Sequence, residues 1–167
     1  MKYYRYTSSI SIQENKNLQK YYLDLKDQAE TVKTHFFEGR YENIYINKEK
    51  IPHLSLILNE ALIFATTILK CQSPLKAGFW FNEMHFGDQT VSHTHDEDDE
   101  MLSGVYYITV PDNSGDLVMG DVGLGDIINI KPKAREFIFF APDLIHGVKR
   151  SHSQKMRLSI GMNFGPA

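Results

Sequence analysis

Hydrophobic residues in the first part of the chain recur at the spacing of an α-helix. Apolar side chains come every three or four residues, with charged residues between them, at Leu18, Tyr21, Tyr22, Leu25 and Ala29. This spacing places them on one helix face that a protein core would cover. Gly39 is a plausible C-cap for this helix, because glycine readily adopts the left-handed backbone that ends many helices.

A short strand and a second helix are predicted to follow. Residues 41–46 alternate weakly between apolar and polar positions, as in a strand. Pro52 then opens a helix from about His53 to Lys70, since proline fits the first turn of a helix. Residues 1–71 are therefore predicted to form a helical support region.

From residue 77 onward the pattern changes to short strands separated by turns. Pro111-Asp-Asn-Ser-Gly115 is a strong turn signal. Eight strands are predicted, over residues 79–86, 90–95, 102–110, 116–119, 126–131, 136–141, 145–149 and 156–164. Many short strands at this spacing favour a sandwich or barrel, and eight strands suit a jelly roll.

The two regions are predicted to form one domain over residues 1–167. The chain has the length of a single domain, and no linker separates residues 1–71 from the jelly-roll core at residues 77–164. Because the helices come first and the strands later, the helices should stack on the outer face of one sheet. The predicted class is α+β, mainly β.

Composition and charge exclude several classes of protein. The 18 basic and 21 acidic residues give a formal charge of −3, so no nucleic-acid partner is expected. The N-terminus has no apolar signal region, and the longest apolar stretch, residues 54–69, is too short to span a bilayer. The single cysteine, Cys71, fits a reducing compartment. A cytoplasmic protein is expected, with no indication of its oligomeric state.

Two histidines in Ser92-His93-Thr94-His95 are the first candidate metal ligands. Alternate side chains of a strand share a face and lie about 6.5–7 Å apart along the chain. Two imidazoles at this spacing can converge on one metal at about 2.0–2.1 Å each. The alternative is a solvated polar loop, because the acidic run 96–100 follows directly.

His146 is a candidate third ligand. It follows an apolar strand and a proline turn in Phe139-Phe-Ala-Pro-Asp-Leu-Ile-His146, which would direct it inward from the opposite sheet. Three protein ligands leave positions open for water, oxygen or substrate, as in catalytic sites. A surface histidine at a turn is the alternative.

Arg157 and Ser159 share one face of the last predicted strand. An inward arginine in an apolar barrel needs an anionic partner, because burying an unpaired guanidinium is costly. Its planar fork can bind a carboxylate, and the hydroxyl two residues on can add a hydrogen bond. The alternative is an arginine paired with an acidic side chain of the protein.

Together these motifs give the chain a family resemblance. In order, the sequence reads His-x-His, Leu-Ser-Gly-Val-Tyr-Tyr, Pro-x-x-x-His-Gly-Val and Arg-x-Ser-Ile-x-x-Asn-Phe, within residues 79–164. This series resembles the iron(II)- and 2-oxoglutarate-dependent oxygenases, above all a small and mostly uncharacterised branch with a His-x-His first motif. The resemblance covers about half of the chain.

The resemblance implies a double-stranded β-helix with iron(II) at one end and 2-oxoglutarate as cosubstrate. Oxygen would be consumed, succinate and carbon dioxide released, and an unidentified prime substrate hydroxylated. His146 takes the place of the distal histidine, and Arg157 with Ser159 the place of the clamp for the far carboxylate. Tyr107 matches a tyrosine that also reaches this carboxylate. Asn82 and Trp80 match positions that line the pocket, and Asn82 is counted among the cofactor-binding residues.

One position departs from the family pattern. The usual first motif is His-x-Asp or His-x-Glu, whereas this chain has His95 where the acid belongs. A three-histidine site is favoured, which raises the charge of the site by one. Glu97, through a shifted register, or Glu100 could instead supply a carboxylate ligand.

Two other classes of protein fit parts of the pattern. Gly87, His93, His95 and Glu100 have the spacing of a cupin first motif. A cupin-type metalloprotein would be a dioxygenase, an isomerase or a small-molecule binder that does not use 2-oxoglutarate. It requires Glu100 as a ligand and leaves Arg157 and Ser159 unexplained. A non-catalytic binding domain with a vacant metal site is the third hypothesis.

Overall fold

A computed structural model describes residues 2–95, 99–121 and 125–167. The described part contains two α-helices, a single 3-10 turn at Lys48–Lys50 and eleven strands. The helices are α1 (Ile12–Leu25) and α2 (Leu54–Leu69). The strands are β1 (Tyr3–Thr7), β2 (Val32–Phe37), β3 (Arg40–Tyr45), β4 (Leu75–Met84), β5 (Thr90–His93), β6 (Leu102–Thr109), β7 (Leu117–Asp121), β8 (Asp126–Ile130), β9 (Glu136–Phe140), β10 (His146–Val148) and β11 (Arg157–Pro166).

The strands form two antiparallel sheets. The larger sheet has seven strands in the order β1-β9-β6-β11-β4-β3-β2, and the smaller has four in the order β5-β10-β7-β8. All eight strands predicted from residue 77 onward are present, four in each sheet. The predicted jelly roll with N-terminal helices is therefore confirmed.

The helices cover the outer face of the larger sheet. Helix α1 begins with a capping box, in which Ser11 accepts from the Glu14 backbone and the Glu14 side chain accepts from Ser11. Its buried Leu18 joins one hydrophobic cluster with α2 and with alternate residues of β11, including Leu158 and Ile160. Burial of this stripe stabilises both helices, since helical stability in proteins comes mostly from packing.

The inner face of the larger sheet faces the smaller sheet. The side chains of β11 alternate, so that Arg157, Ser159, Gly161 and Asn163 lie on this face and line a cavity between the sheets. At one end of the space between the sheets, a second apolar cluster forms from Tyr107, Leu117, Met119, Ile130, Ile138 and Phe140. The two faces of β11 therefore serve a core on one side and a cavity on the other.

The prediction for the end of the first helix is wrong. Helix α1 ends at Leu25, whose carbonyl oxygen accepts from the Thr31 hydroxyl at 2.8 Å and from the Gln28 amide. Residues 32–37, rich in β-branched and aromatic side chains, form β2 instead of extending the helix. Gly39, at φ +86°, lies in the turn between β2 and β3, where its conformational freedom is needed.

The first 71 residues thus hold both α-helices and also three strands of the larger sheet. The strand predicted at residues 41–46 is confirmed as β3, and the helix predicted from His53 to Lys70 is confirmed as α2. Strands β1 and β2 were not predicted. Among the described residues, neither helix has the length and apolar character needed to cross a membrane.

Candidate active site

The two sheets enclose a cavity of about 440 Å³. Side chains from both sheets line it, because β4, β6 and β11 supply its floor and β5 and β10 the opposite wall. Every described residue that the sequence singled out as a metal ligand or cofactor-binding residue is among them, namely His93, His95, His146, Arg157, Ser159, Tyr107, Asn82 and Glu100.

The three predicted histidine ligands lie together. His93 on β5 is paired directly with His146 on β10. His95 follows β5, and its backbone amide donates to the Pro142 carbonyl oxygen at 2.8 Å, which ties this segment to the turn before β10. One ring nitrogen of each histidine lies within 4.8 Å of those of the other two. Among the described residues, this is the one group of three or more such side chains with metal-site spacing.

Backbone carbonyls fix two of the three rings. The Nδ1 atom of His93 lies 2.9 Å from the Val91 carbonyl oxygen, and that of His146 lies 2.8 Å from the Leu144 carbonyl oxygen. A carbonyl oxygen only accepts, so each Nδ1 carries the proton and donates. Each Nε2 therefore keeps its lone pair, as a metal ligand requires.

Burial favours the neutral form of His95 and His146. Burial, with a smaller contribution from the neighbouring histidines, lowers the pKa of His146 to about 3 and that of His95 to about 4. A neutral imidazole binds metal, whereas an imidazolium does not. His95 and His146 are therefore neutral at pH 7, as metal binding requires.

Arg157 is buried in the wall of the same cavity, where it forms no salt bridge with a described residue. Only 2% of the Arg157 surface is exposed. Its Nη1 atom donates to the carbonyl oxygens of Ser114 and Gly115, at 3.2 and 2.6 Å. Within the described part of the chain it forms no salt bridge, and its Nε atom has no hydrogen-bond partner. Burial lowers the pKa of Arg157. Asp116 acts on the guanidinium electrostatically but forms no salt bridge with it. A buried guanidinium without a paired carboxylate is costly and indicates an anionic ligand.

Hydroxyl donors surround the guanidinium. The ring centroid of Tyr107 lies 5.2 Å from the guanidinium carbon of Arg157. Burial raises the pKa of Tyr107 to about 12, so its hydroxyl stays protonated. The hydroxyls of Tyr107 and Ser114 are buried and have no hydrogen-bond partner among the described residues. Ser159 lies between Tyr107 on β6 and Asn82 on β4, and the Asn82 amide donates to the Glu42 carbonyl oxygen at 2.9 Å.

Sequence reasoning missed the backbone groups that hold Arg157. Residues 111–115 were read only as a turn, yet the carbonyls of Ser114 and Gly115 orient the guanidinium. Gly115 has φ +94°, and a Cβ atom there would lie 2.2 Å from the Lys149 carbonyl oxygen. This position therefore requires glycine, and the Ser-Gly pair was the available signal.

The two carboxylates considered as alternative ligands are placed differently. Glu97 lies outside the described residues. Glu100 lines the cavity, but it accepts a hydrogen bond from the Asn163 amide and is not part of the histidine cluster. The cupin-type hypothesis needs Glu100 as a ligand, so this arrangement does not favour it.

Comparisons with known proteins give matches in structure. No family model matches the chain, and no curated protein matches it in sequence. A Pseudomonas putida prolyl-4-hydroxylase is 16% identical with a TM-score of 0.75, over 98% of this chain and 92% of that one. The α-ketoglutarate-dependent epimerase SnoN from nogalamycin biosynthesis is 14% identical with a TM-score of 0.77, over 99% and 78%. A Burkholderia pseudomallei oxidoreductase of the 2OG-Fe(II) oxygenase family is 13% identical with a TM-score of 0.71, over 98% and 84%.

These likenesses show the fold. They confirm the double-stranded β-helix that the motifs implied. They also extend over nearly all of this chain, whereas the motifs cover residues 79–164. The helices and strands of the first 71 residues are therefore part of the shared fold.

Proposed function

We propose that this protein is an iron(II)- and 2-oxoglutarate-dependent oxygenase that hydroxylates a prime substrate and releases succinate and carbon dioxide. The observation that carries the proposal is that three clustered imidazoles and one buried guanidinium without a salt bridge among the described residues line the same cavity. The shared fold supports it, because solved structures with this fold include a 2OG-Fe(II) oxygenase family member and a prolyl-4-hydroxylase.

The histidine cluster fits a metal ion of this class. Two nitrogens that bind one metal at about 2.1 Å and at right angles are about 3.0 Å apart. The Nε2 atoms of His93 and His95 are 3.1 Å apart, and the three ligand nitrogens all lie within 4.8 Å of one another, so a small inward movement of the rings would bring all three to one metal. Imidazole suits iron(II), and three protein ligands leave coordination positions open for a cosubstrate and oxygen. His93, His95 and His146 would hold the metal.

The other end of the site fits the far carboxylate of 2-oxoglutarate. Arg157 would bind it, with the hydroxyls of Tyr107 and Ser159 as further donors. The buried Nε of Arg157 and hydroxyl of Tyr107 lack partners among the described residues, as expected of groups that a ligand satisfies. Three neutral ligands also leave the metal its full charge of 2+, which favours a dianionic cosubstrate.

In this proposal each residue has a separate task. Iron(II), when bound, would supply the oxygen activation that couples decarboxylation of the keto acid to hydroxylation of a C–H bond. His93 and His146 present their lone pairs because backbone carbonyls orient their rings. Phe140, whose ring centroid is 4.5 Å from that of His146, keeps water from the buried side of the cluster. Arg157 fixes the orientation of the cosubstrate.

Anaerobic titration with iron(II) and 2-oxoglutarate tests the proposal. We expect a weak visible charge-transfer band that requires both components, since it reports a keto acid chelated to the metal. A cupin-type protein would bind iron without responding to the keto acid. A non-catalytic domain would bind neither. Either of these results would overturn the assignment as a 2-oxoglutarate-dependent oxygenase.

A further inference from the structure

The cavity continues past the histidines to a second polar region. Along β11 the inward positions run from Arg157 through Ser159 and Gly161 to Asn163. Trp80 pairs with Gly161 and lies against it, and the Trp80 ring centroid is 5.8 Å from that of His95. Arg157 therefore lies to one side of the level of the histidines, and Asn163 lies to the other.

Polar atoms without protein partners mark this second region. Asn163 on β11 is paired with Ser103 on β6, and both line the cavity. The Asn163 amide nitrogen donates to Glu100, which fixes the side chain, while its Oδ1 atom is buried without a hydrogen-bond partner among the described residues. Ser103 is 2% exposed, and its buried hydroxyl also has no hydrogen-bond partner among the described residues. Such orphaned groups in a cavity wall indicate a ligand that satisfies them.

Glu100 is held against this wall by the residues on either side of it. The Met101 amide donates to the Phe164 carbonyl oxygen at 2.7 Å. A Cβ atom at Gly165 would lie 2.8 Å from the Asp99 carbonyl oxygen, so the backbone at Asp99 packs directly on the end of β11. The Glu100 carboxylate is therefore a fixed feature of this end of the cavity.

The two ends of the cavity have opposite hydrogen-bonding character. The end at Arg157 offers donors: a guanidinium and the hydroxyls of Tyr107 and Ser159. The end formed by Ser103, Asn163 and Glu100, here called the acceptor end, offers an amide oxygen, a carboxylate and a hydroxyl. Arg157 is the single lysine or arginine among the described residues that line the cavity.

We propose that the acceptor end is the subsite for the prime substrate and that it recognises a nitrogen group that donates hydrogen bonds, an amide or an ammonium. Carboxylate and phosphate groups are disfavoured there, because the unpartnered Asn163 Oδ1 atom is an acceptor and cannot donate a hydrogen bond to them. The identification of the ligand as prime substrate rests on the proposed function. It follows from the position of the acceptor end, across the histidines from the site assigned to 2-oxoglutarate.

Trp80 provides a reporter for this test. It is the single tryptophan of the chain, so its indole N–H gives one resolvable NMR signal over Gly161, between Ser159 and Asn163. Acetamide, methylammonium and acetate are matched small probes of the three chemistries. Each is titrated into the ¹⁵N-labelled, metal-free protein to about 0.5 M, because one or two hydrogen bonds support only weak binding.

We expect acetamide and methylammonium to shift the indole signal saturably. In Arg157→Met, which lacks the carboxylate site at the other end of the cavity, acetate should bind at least about fivefold more weakly than acetamide. Asn163→Leu and Ser103→Ala should each weaken the response to acetamide by about two- to tenfold. Ser159→Ala, at the other end of the cavity, is the matched control and should leave this response unchanged. The remaining amide spectrum shows whether each variant is folded.

Three results would overturn the proposal: acetate binds Arg157→Met as well as acetamide does, neither nitrogen probe saturates, or both variants at the acceptor end respond like the wild type. The measurement needs no metal, so its outcome is independent of the iron and 2-oxoglutarate titration. A selective acceptor end without any response to iron and keto acid would contradict the proposed function alone.

Discussion

The two faces of the seven-stranded sheet are built from the same strands but have different roles: one packs in the hydrophobic core and the other lines the cavity. Toward the helices, β11 presents Leu158, Ile160, Met162 and Phe164, all buried in one apolar cluster. Toward the cavity, the alternate positions present Arg157, Ser159 and Asn163. The two-residue period of a strand thus separates stability from chemistry within one segment. Substitutions on one face should leave the property of the other largely intact.

Loss of a ligand on the cavity side has the largest expected effect. His146→Ala should weaken iron(II) binding by more than about 100-fold, because removal even of an outer-shell partner can cost that much. Metal analysis after desalting measures the bound iron. His152→Ala is the control, since His152 is exposed and lies outside the cluster. A His146→Ala protein with stoichiometric iron would contradict the ligand assignment.

Truncation of a large buried side chain on the helix-facing side of the sheet should lower protein stability. Phe139 is fully buried among Tyr6, Phe64 and Phe137. Phe139→Ala should lower the free energy of unfolding by about 3–5 kcal/mol, measured by denaturant titration. The folded fraction should keep its iron affinity.

The control for this change is Phe36→Ala. Phe36 is 66% exposed, so its loss should change stability by no more than about 0.5 kcal/mol. If Phe139→Ala lowered iron affinity in folded protein by as much as His146→Ala, the separation of the two faces would be wrong.

Removal of the buried charge should affect the keto acid and spare the metal. Arg157→Ala should weaken 2-oxoglutarate binding by about 2–5 kcal/mol, roughly 30-fold or more, while iron(II) still binds. Anaerobic titration of the iron-loaded variant measures this affinity. Arg157→Met, which keeps more of the side-chain volume, separates loss of charge from loss of packing. Unchanged keto-acid affinity in both variants would contradict the clamp.

The smallest expected effect concerns a single hydroxyl. Tyr107→Phe keeps the buried ring beside Arg157 and removes a hydroxyl that has no partner among the described residues. We expect 2-oxoglutarate affinity to fall by about 1 kcal/mol, roughly fivefold. Protein stability should stay the same or rise, because the hydroxyl is unsatisfied without ligand. A stability loss with unchanged affinity would mean that Tyr107 has a structural role only.

The sequence was most informative where periodicity and chemistry coincide. All eight core strands were predicted, because turn residues punctuate them and their side chains alternate. The clustering of His93, His95 and His146 was also predicted, because a jelly roll brings their strands together. Strand β2 was missed because residues 26–39 were assigned to a continuing helix, although the helix ends at Leu25.

Features that depend on contacts distant in sequence could not be predicted. The carbonyls of Ser114 and Gly115 hold Arg157 from more than 40 residues away in the chain. In the sequence, Asn163 was recognised only as part of the last motif, with no assigned role. Its hydrogen bond to Glu100 forms because the segment before β6 packs against the end of β11. Such pairings depend on strand order and register, which local patterns do not specify.

The central claim is that one cavity holds a metal on three histidines and a keto acid on Arg157. A crystal structure of the protein soaked without oxygen in iron(II) and 2-oxoglutarate tests it most directly. We predict iron bound by His93, His95 and His146, with the far carboxylate of the keto acid paired to Arg157. Iron bound by a carboxylate in place of one histidine, or a keto acid away from Arg157, would contradict the account.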